Sequence, residues 1–246
     1  MSILFGAKKK DEKKWYNSTW DFVESLGIAL IMALAIKASI VEAYKIPSGS
    51  MENTLLVGDF LLANKFVYGM KLPIPYTDIR LPAITDPKPG DIIIFKPPFK
   101  PDINYIKRCV AVEGQTVEIR NKELYVDGRH IPLPPNGKHE DTLMIPYMPG
   151  VNYGQRDNMP PTKVVPGYLF VMGDNRDNSY DSRFWGFLDR RLVMGRALVI
   201  HWSLESEKNP PKVNPGNPLS LVNRVGYWLT HLPQRIRFGR LGNIVS

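Results

Sequence analysis

One long apolar run opens the chain and many short ones follow it. From Phe22 to Val41 apolar positions dominate, with Glu24 near the start, Lys37 near the end and no charge from Ser25 to Ile36. Roughly 20 residues at about 1.5 Å each span about 30 Å, the thickness of bilayer hydrocarbon, and both flanking charges can reach the headgroups. With Trp20 and Tyr44 as interface anchors, the pattern predicts one transmembrane helix over 21–43. Beyond it, short β-type runs alternate with Pro and Gly: residues 59–66, 91–95, 105–112, 116–120 and 123–128, then 167–175 and 192–202. The fourth and fifth pair as a hairpin through Asn121-Lys122. Helical periodicity is scarce and no strand–helix alternation appears, so the fold class is mostly β. Residues 129–166, rich in proline, predict a surface extension, irregular or an inserted β-ribbon. Glu205 to Pro218, with four prolines, reads as a linker. Asn217-Pro218 then starts a helix whose apolar stripe is Leu221, Val225, Trp228 and Leu232, joined by Val222 and Leu229. Such a stripe beside arginines suits an amphipathic membrane-surface helix or docking onto the protein's own core.

Charge sharpens this outline. The 246 residues carry a net +8, and the two ends account for all of it. Residues 1–20 hold five lysines against Asp11 and Glu12; residues 211–246 hold Lys212, Arg224, Arg235, Arg237 and Arg240 with no acid. The balanced middle excludes a basic groove, so nucleic acid is not an expected partner, whereas a phospholipid membrane is. Lysines before the apolar run place the N-terminus in the cytoplasm and the bulk outside. The expected organisation is a cytoplasmic basic N-terminus (1–20), an anchor (21–43), an extracytoplasmic β domain (44–206), and a linker with a basic amphipathic tail (207–246). A cleavable signal peptide ending at Ala33-Leu34-Ala35 is the alternative for the apolar run, disfavoured because apolar character continues to Val41. The single cysteine, Cys109, excludes an intrachain disulfide and any zinc site of paired cysteines.

Three segments carry candidate chemistry. Directly after the anchor comes Pro47-Ser48-Gly49-Ser50-Met51, two hydroxyls around a glycine, which alone reads as a capped turn. In Tyr105-Ile106-Lys107-Arg108 a lysine sits within an apolar strand pattern. Period two puts Tyr105, Lys107 and Cys109 on one face and Ile106, Arg108 and Val110 on the other, so one cation faces inward. A buried lysine loses hydration and its pKa falls, which makes an amine a general base near neutral pH; a solvated edge lysine is the plainer reading. The third segment, Gly173 to Arg183, is a dense polar loop. Its carboxylates resemble part of a calcium loop, but the arginines, the missing sixth-position Gly and the missing final Glu favour Asp–Arg pairs.

These three elements, in this order after an anchor, resemble bacterial type I signal peptidase (leader peptidase). The resemblance covers Tyr44 to Trp202 and rests on IPSGSMENTLLVGDFLLANKF, YIKRCVAVEGQTVEI and GDNRDNSYDSRFWGFL. It implies a signal-peptidase-like β fold and a membrane-anchored serine endopeptidase that removes signal peptides from secreted preproteins, without cofactor or metal. Residue by residue it implies Ser50 as nucleophile, Lys107 as general base, Ser48 with the Ser50 N–H as oxyanion hole, and Ser179 bonding and orienting the Lys107 amine. It further implies that Asp174 pairs with Arg108 and Asp181 with Arg183, while Tyr105 packs beside the dyad. Tyr44, Ile46, Met51, Leu55 and Ile106 are the candidates for lining pockets that admit small side chains. The localisation implied is the bacterial inner membrane, single-pass, with the catalytic domain facing the periplasm or exterior. Glu52-Asn53 stands where relatives often have a proline before Thr54, and Cys109 where a small residue is usual; neither removes a catalytic group. A self-cleaving regulator of the same chemistry would need a DNA-binding domain that residues 1–20 cannot form. A non-catalytic tethered binding domain would not need Ser50, Lys107 and Ser179 together.

Overall fold

The computed structural model describes residues 19–30, 41–69, 82–97, 99–151, 154–207 and 210–245. Residues 19–30 are helical (α1), and Ser182–Trp185 forms the one-turn helix α2. Among the described residues no helix is long and apolar enough to cross a membrane. The expected anchor is described only in part, because residues 31–40, with Ala33-Leu34-Ala35 and Lys37, lie outside the described residues, as do the N-terminal lysines. Its last three expected positions are not helical: Val41–Lys45 is strand β1. β1 pairs antiparallel with β2 (Asp59–Asn64) from Val41↔Asn64 to Lys45↔Phe60.

Of the remaining strands, β3 Ile92–Phe95, β4 Tyr105–Val112, β5 Thr116–Arg120, β6 Glu123–Val126, β9 Tyr168–Met172 and β11 Val193–Ser203 follow the hydrophobic pattern, whereas β7 Arg129–Ile131, β8 Met159–Lys163 and β10 Leu188–Asp189 do not. Together the strands build a seven-stranded sheet in the order β1-β2-β11-β3-β4-β9-β10 and a four-stranded one in the order β7-β6-β5-β8. The protein is therefore mostly β. β2 alternates buried and half-buried positions, as a strand with one covered face does. In β4 every residue from Ile106 to Ala111 is buried, because the strand lies between β3 and β9 with both faces covered. Lys107 (3 % exposed) and Arg108 (8 %) are consequently both buried, where alternation predicts one.

Turn chemistry sets the hairpins. Asn121 (φ 50°) and Lys122 (φ 72°) form the two-residue turn between β5 and β6, a geometry that needs positive φ at both positions. Asp127 (φ 52°) and Gly128 (φ 75°) do the same between β6 and β7, so the fifth expected strand ends at Val126. The extension over 129–166 contributes β7 and β8 as strands of the four-stranded sheet, and it is not all surface. Arg156 and Asp157 are buried, and Lys138 pairs in parallel with Asn175 of the polar loop.

The C-terminal segment departs most from expectation. Helix α3 (Pro218–Arg235) starts as predicted, with Asn217 accepting a hydrogen bond from the Leu219 N–H at 3.0 Å. Most of its stripe does not dock on the core: Leu221, Val222, Val225, Trp228 and Leu229 are exposed, and Leu232 is half-buried. The tail beyond α3, by contrast, is tied down. Leu204 bridges Ile236, Val199 bridges Ile244, and Val245 is buried in the core. Arg237 and Arg240 converge on Asp59, which is fully buried; Arg240 Nη2 lies 2.6 Å from Asp59 Oδ2 and the Ser203 hydroxyl donates to Oδ1 at 2.6 Å. Arg224 and Arg235 pair with Glu207. Four of the tail's five basic residues thus engage acids of the same chain, which weakens their pull on an external anion. Next to this clasp, Gly58 (φ 90°) is required: a Cβ there would come within 2.0 Å of the Leu204 carbonyl oxygen.

Asp59→Asn leaves two half-buried guanidinium groups facing a neutral amide, and breaking such a pair costs about 3–5 kcal/mol. Urea unfolding is expected to show a loss of that size; a change under about 1 kcal/mol would mean that the clasp contributes little.

Candidate active site

Ser50 sits in a short 3-10 turn, Gly49–Met51, entered from an extended Ser48 (φ −137°, ψ 158°). The turn is rooted by Met51 and Leu55, buried in the core cluster with Tyr44, Ile46 and Ile106. On the other side the polar loop grips the backbone of Ser50 and Gly49. The Asn175 N–H donates to the Ser50 carbonyl at 3.1 Å, and the Asn175 side-chain amide donates to the Gly49 carbonyl at 3.3 Å. A Cβ on Gly173 would lie 2.4 Å from the Ser50 carbonyl oxygen and 2.3 Å from Ser179 Oγ, so the loop passes the turn at a distance only glycine allows.

β4 delivers Lys107 into this space. Its Nζ hydrogen-bonds to Ser50 Oγ at 2.5 Å and lies 5.8 Å from the centre of the Tyr105 ring. Burial pushes the Lys107 amine down to about 8. Asp181 and Asp174 oppose that fall, while Arg183 adds to it. Ser48 Oγ stands 3.5 Å from Ser50 Oγ.

Two carboxylate–arginine pairs brace the site. Asp174 binds Arg108 by both oxygens, at 2.8 Å to Nε and 2.8 Å to Nη2, and receives the Thr54 hydroxyl at 2.6 Å. Asp181 binds Arg183 in the same forked manner, 2.8 Å each, and accepts the Gly173 N–H at 3.0 Å. Burial works to raise the Asp181 carboxyl, but Arg183 beside it holds it below the usual range. These carboxylates are spent on guanidinium groups instead of converging as calcium ligands would.

Most of the residues singled out from sequence come together here, with two corrections. Ser179 is buried, yet its hydroxyl has no hydrogen-bond partner among the described residues, so the expected bond to Lys107 is not formed; the amine is engaged with Ser50 instead. A cavity of about 360 Å³ opens beside the dyad, lined by Ile46, Met51 and Ile106 as expected, but not by Tyr44 or Leu55. Tyr44 is 5 % exposed with its hydroxyl donating to Glu42 at 2.6 Å, and Leu55 is fully buried; both lie in the core beneath the cleft. Ile103, Asn104, Asn178 and Tyr180 complete the lining. Sequence reasoning passed over them, although each flanks a motif residue. It also missed Thr54 and Asn175, whose polar side chains follow Ser50 and Asp174 within a few positions.

Comparisons with known proteins identify the family. The family described as "Signal peptidase, peptidase S26" matches residues 19–202. The chain is 36% identical to the "Signal peptidase I" of Pseudomonas aeruginosa over 76% of its own length and 74% of that protein's. It is 35% identical to the "Signal peptidase I" of Aquifex aeolicus over 89% of its length and 96% of that protein's, and 32% identical to a "Probable signal peptidase I-2" of Synechocystis over 82% and 81%. A buried lysine against a serine, braced by two Asp–Arg forks, thus occurs in a chain that belongs to the signal peptidase family, peptidase S26.

Proposed function

We propose that this signal peptidase removes N-terminal signal peptides from secreted preproteins through a Ser50–Lys107 dyad. The observation that carries the reading is the 2.5 Å contact between Lys107 Nζ and Ser50 Oγ in a site where burial lowers the amine to about 8. Neutral Lys107 takes the Ser50 proton as Oγ attacks the scissile carbonyl. The Ser50 N–H and Ser48 hydroxyl receive the developing oxyanion. Lys107 then passes the proton to the leaving amine, freeing the mature chain and leaving the signal peptide esterified to Ser50. Water, deprotonated by the same amine, hydrolyses the ester and Ser50 recovers its proton. Ser179 retains an orienting role: its buried, otherwise unpaired hydroxyl is an acceptor for the ammonium that forms at each step. Ile46, Met51 and Ile106 give the cleft apolar walls suited to small side chains at the first and third positions before the cut. β1 is a sheet edge leading straight into Ile46, so an extended peptide can add to it by backbone hydrogen bonds.

The same proposal places the protein in the bacterial inner membrane through the apolar segment that precedes β1, residues 21–40, N-terminus cytoplasmic and β domain outside. The exposed stripe of α3 is read as a second membrane contact.

Ser50→Ala is expected to abolish cleavage of a preprotein with an A-x-A site, and Lys107→Ala to lower kcat by roughly 10²–10⁴-fold with the fold intact. For wild type, kcat/KM rises with pH as Lys107 loses its proton and levels off above about 8; appreciable cutting by Lys107→Ala near pH 8 would remove the lysine from the mechanism. Gly173→Ala pushes Ser179 and the Ser50 carbonyl apart and is expected to lower kcat at least about tenfold, an effect that a stopped-assay comparison at equal folded fraction would reveal. The membrane contact is best tested with Leu221→Glu and Trp228→Glu in an anchor-free chain, because deleting the whole tail also removes Arg237 and Arg240. Flotation with liposomes should fall sharply, and unchanged flotation would reject the contact.

A further inference from the structure

A second cavity, of about 340 Å³, shares no lining residue with the catalytic cleft. Where Tyr105 to Lys107 of β4 border the cleft, Arg108 to Val110 border this one, together with Leu124 and Val126 of β6 and Ile131 and Pro132 at the end of β7. Its charged lining residues are two arginines, Arg108 and Arg176, and none of the lining residues is acidic. Arg108 is neutralised by the Asp174 fork. Arg176 is not: it is 2 % exposed, its Nε has no hydrogen-bond partner among the described residues, and its Nη1 meets only the Met172 sulfur, at 4.0 Å. Both Asp174 oxygens are already engaged by Arg108 and Thr54, and both Asp181 oxygens by Arg183.

A guanidinium taken out of water without a hydrogen-bonded anion is costly: burial, and then repulsion from Arg183, push Arg176 down to about 10, against the opposing pull of Asp174 and Asp181. The backbone leaves Arg176 no easy escape. Its N–H donates to the Lys138 carbonyl at 3.0 Å and its carbonyl accepts from Arg183 Nη2 at 2.5 Å, so both neighbours hold the residue in place. Val110, Leu124, Val126, Ile131 and prolines line the same cavity as Arg176.

We propose that this cavity is a binding site for an aliphatic carboxylate, Arg176 receiving the carboxylate as a planar two-oxygen partner and the β6–β7 wall receiving the chain. The fork of the guanidinium matches a carboxylate's geometry, and the apolar wall adds affinity that a bare inorganic anion cannot use. The proposal does not depend on the catalytic reading, since it concerns a different cavity.

Octanoate is the probe, titrated into the full chain in a non-ionic detergent, with octanol and inorganic phosphate as comparisons. A ligand selective for the folded state raises Tm with concentration. Octanoate is expected to raise Tm and to bind saturably by calorimetry, while octanol and phosphate do neither. Arg176→Met removes the charge at similar volume, and Ile131→Glu sets a competing carboxylate on the cavity wall; each is expected to weaken octanoate at least tenfold. Where Arg176→Met fails to fold, Ile131→Glu and the octanol comparison decide. Absence of saturable octanoate binding, equal binding of octanol, stronger binding of phosphate, or wild-type affinity in either folded variant would each overturn the proposal.

Discussion

A buried amine held against a serine hydroxyl is the constraint on which the rest of the site depends. Lys107 serves as a base only if it is kept from water, and keeping it there requires that the surrounding charges neither restore its proton nor leave it unmatched. Asp181 and Asp174 are near enough to favour the ammonium, yet each is itself paired with a guanidinium. The two Asp–Arg forks therefore do more than tie segments together. They place carboxylates beside Lys107, and Arg183 offsets part of the field those carboxylates exert on it. Burial then remains the dominant influence on the amine.

The same forks define the nucleophile's position. Asp174 joins Arg108 of β4 to Thr54, four residues beyond Ser50, and the next residue, Asn175, holds the Ser50 carbonyl. Three segments far apart in sequence thus meet over a few ångströms, each fixed by hydrogen bonds to the other two. Gly173 permits this approach. A site assembled in this way is rigid because no single segment can move without leaving a buried charge or carbonyl unpaired.

How much of this was legible in the chain follows from the range of each interaction. The long strands β4, β5 and β11 and the β5–β6 hairpin were readable because local hydrophobic pattern and turn residues specify them. The Ser50–Lys107 contact, the two Asp–Arg pairs and the Ile46, Met51 and Ile106 lining were readable through the joint occurrence of three motifs. β7 and β10 were not, being only three and two residues long and held by neighbours rather than by their own pattern. Tyr44 and Leu55 were misplaced because nearness to a catalytic serine in sequence does not say whether a side chain points into the cleft or the core. The hydroxyl of Ser179 was given the partner that Ser50 takes. The Arg237 and Arg240 clasp on Asp59 spans some 180 positions, and nothing local distinguishes those arginines from solvated charge.

That clasp also ties the end of the chain to the beginning of the catalytic domain. Arg240 Nη2 donates to the Thr54 carbonyl at 2.9 Å while the Thr54 hydroxyl donates to Asp174. Asp59 meanwhile accepts the Leu56 N–H at 2.8 Å, closing the loop that follows the nucleophile. The turn carrying Ser50 is thus held from one side by the polar loop and from the other by residues near the C-terminus, with the core beneath. The basic tail that composition alone assigns to an external anion is spent largely on an internal one. An exposed helix, α3, lies between two anchored points, Glu207 and Arg237. Its apolar stripe is therefore presented from a fixed base, which distinguishes it from a free tail: a surface that meets the stripe meets the catalytic domain at a defined orientation.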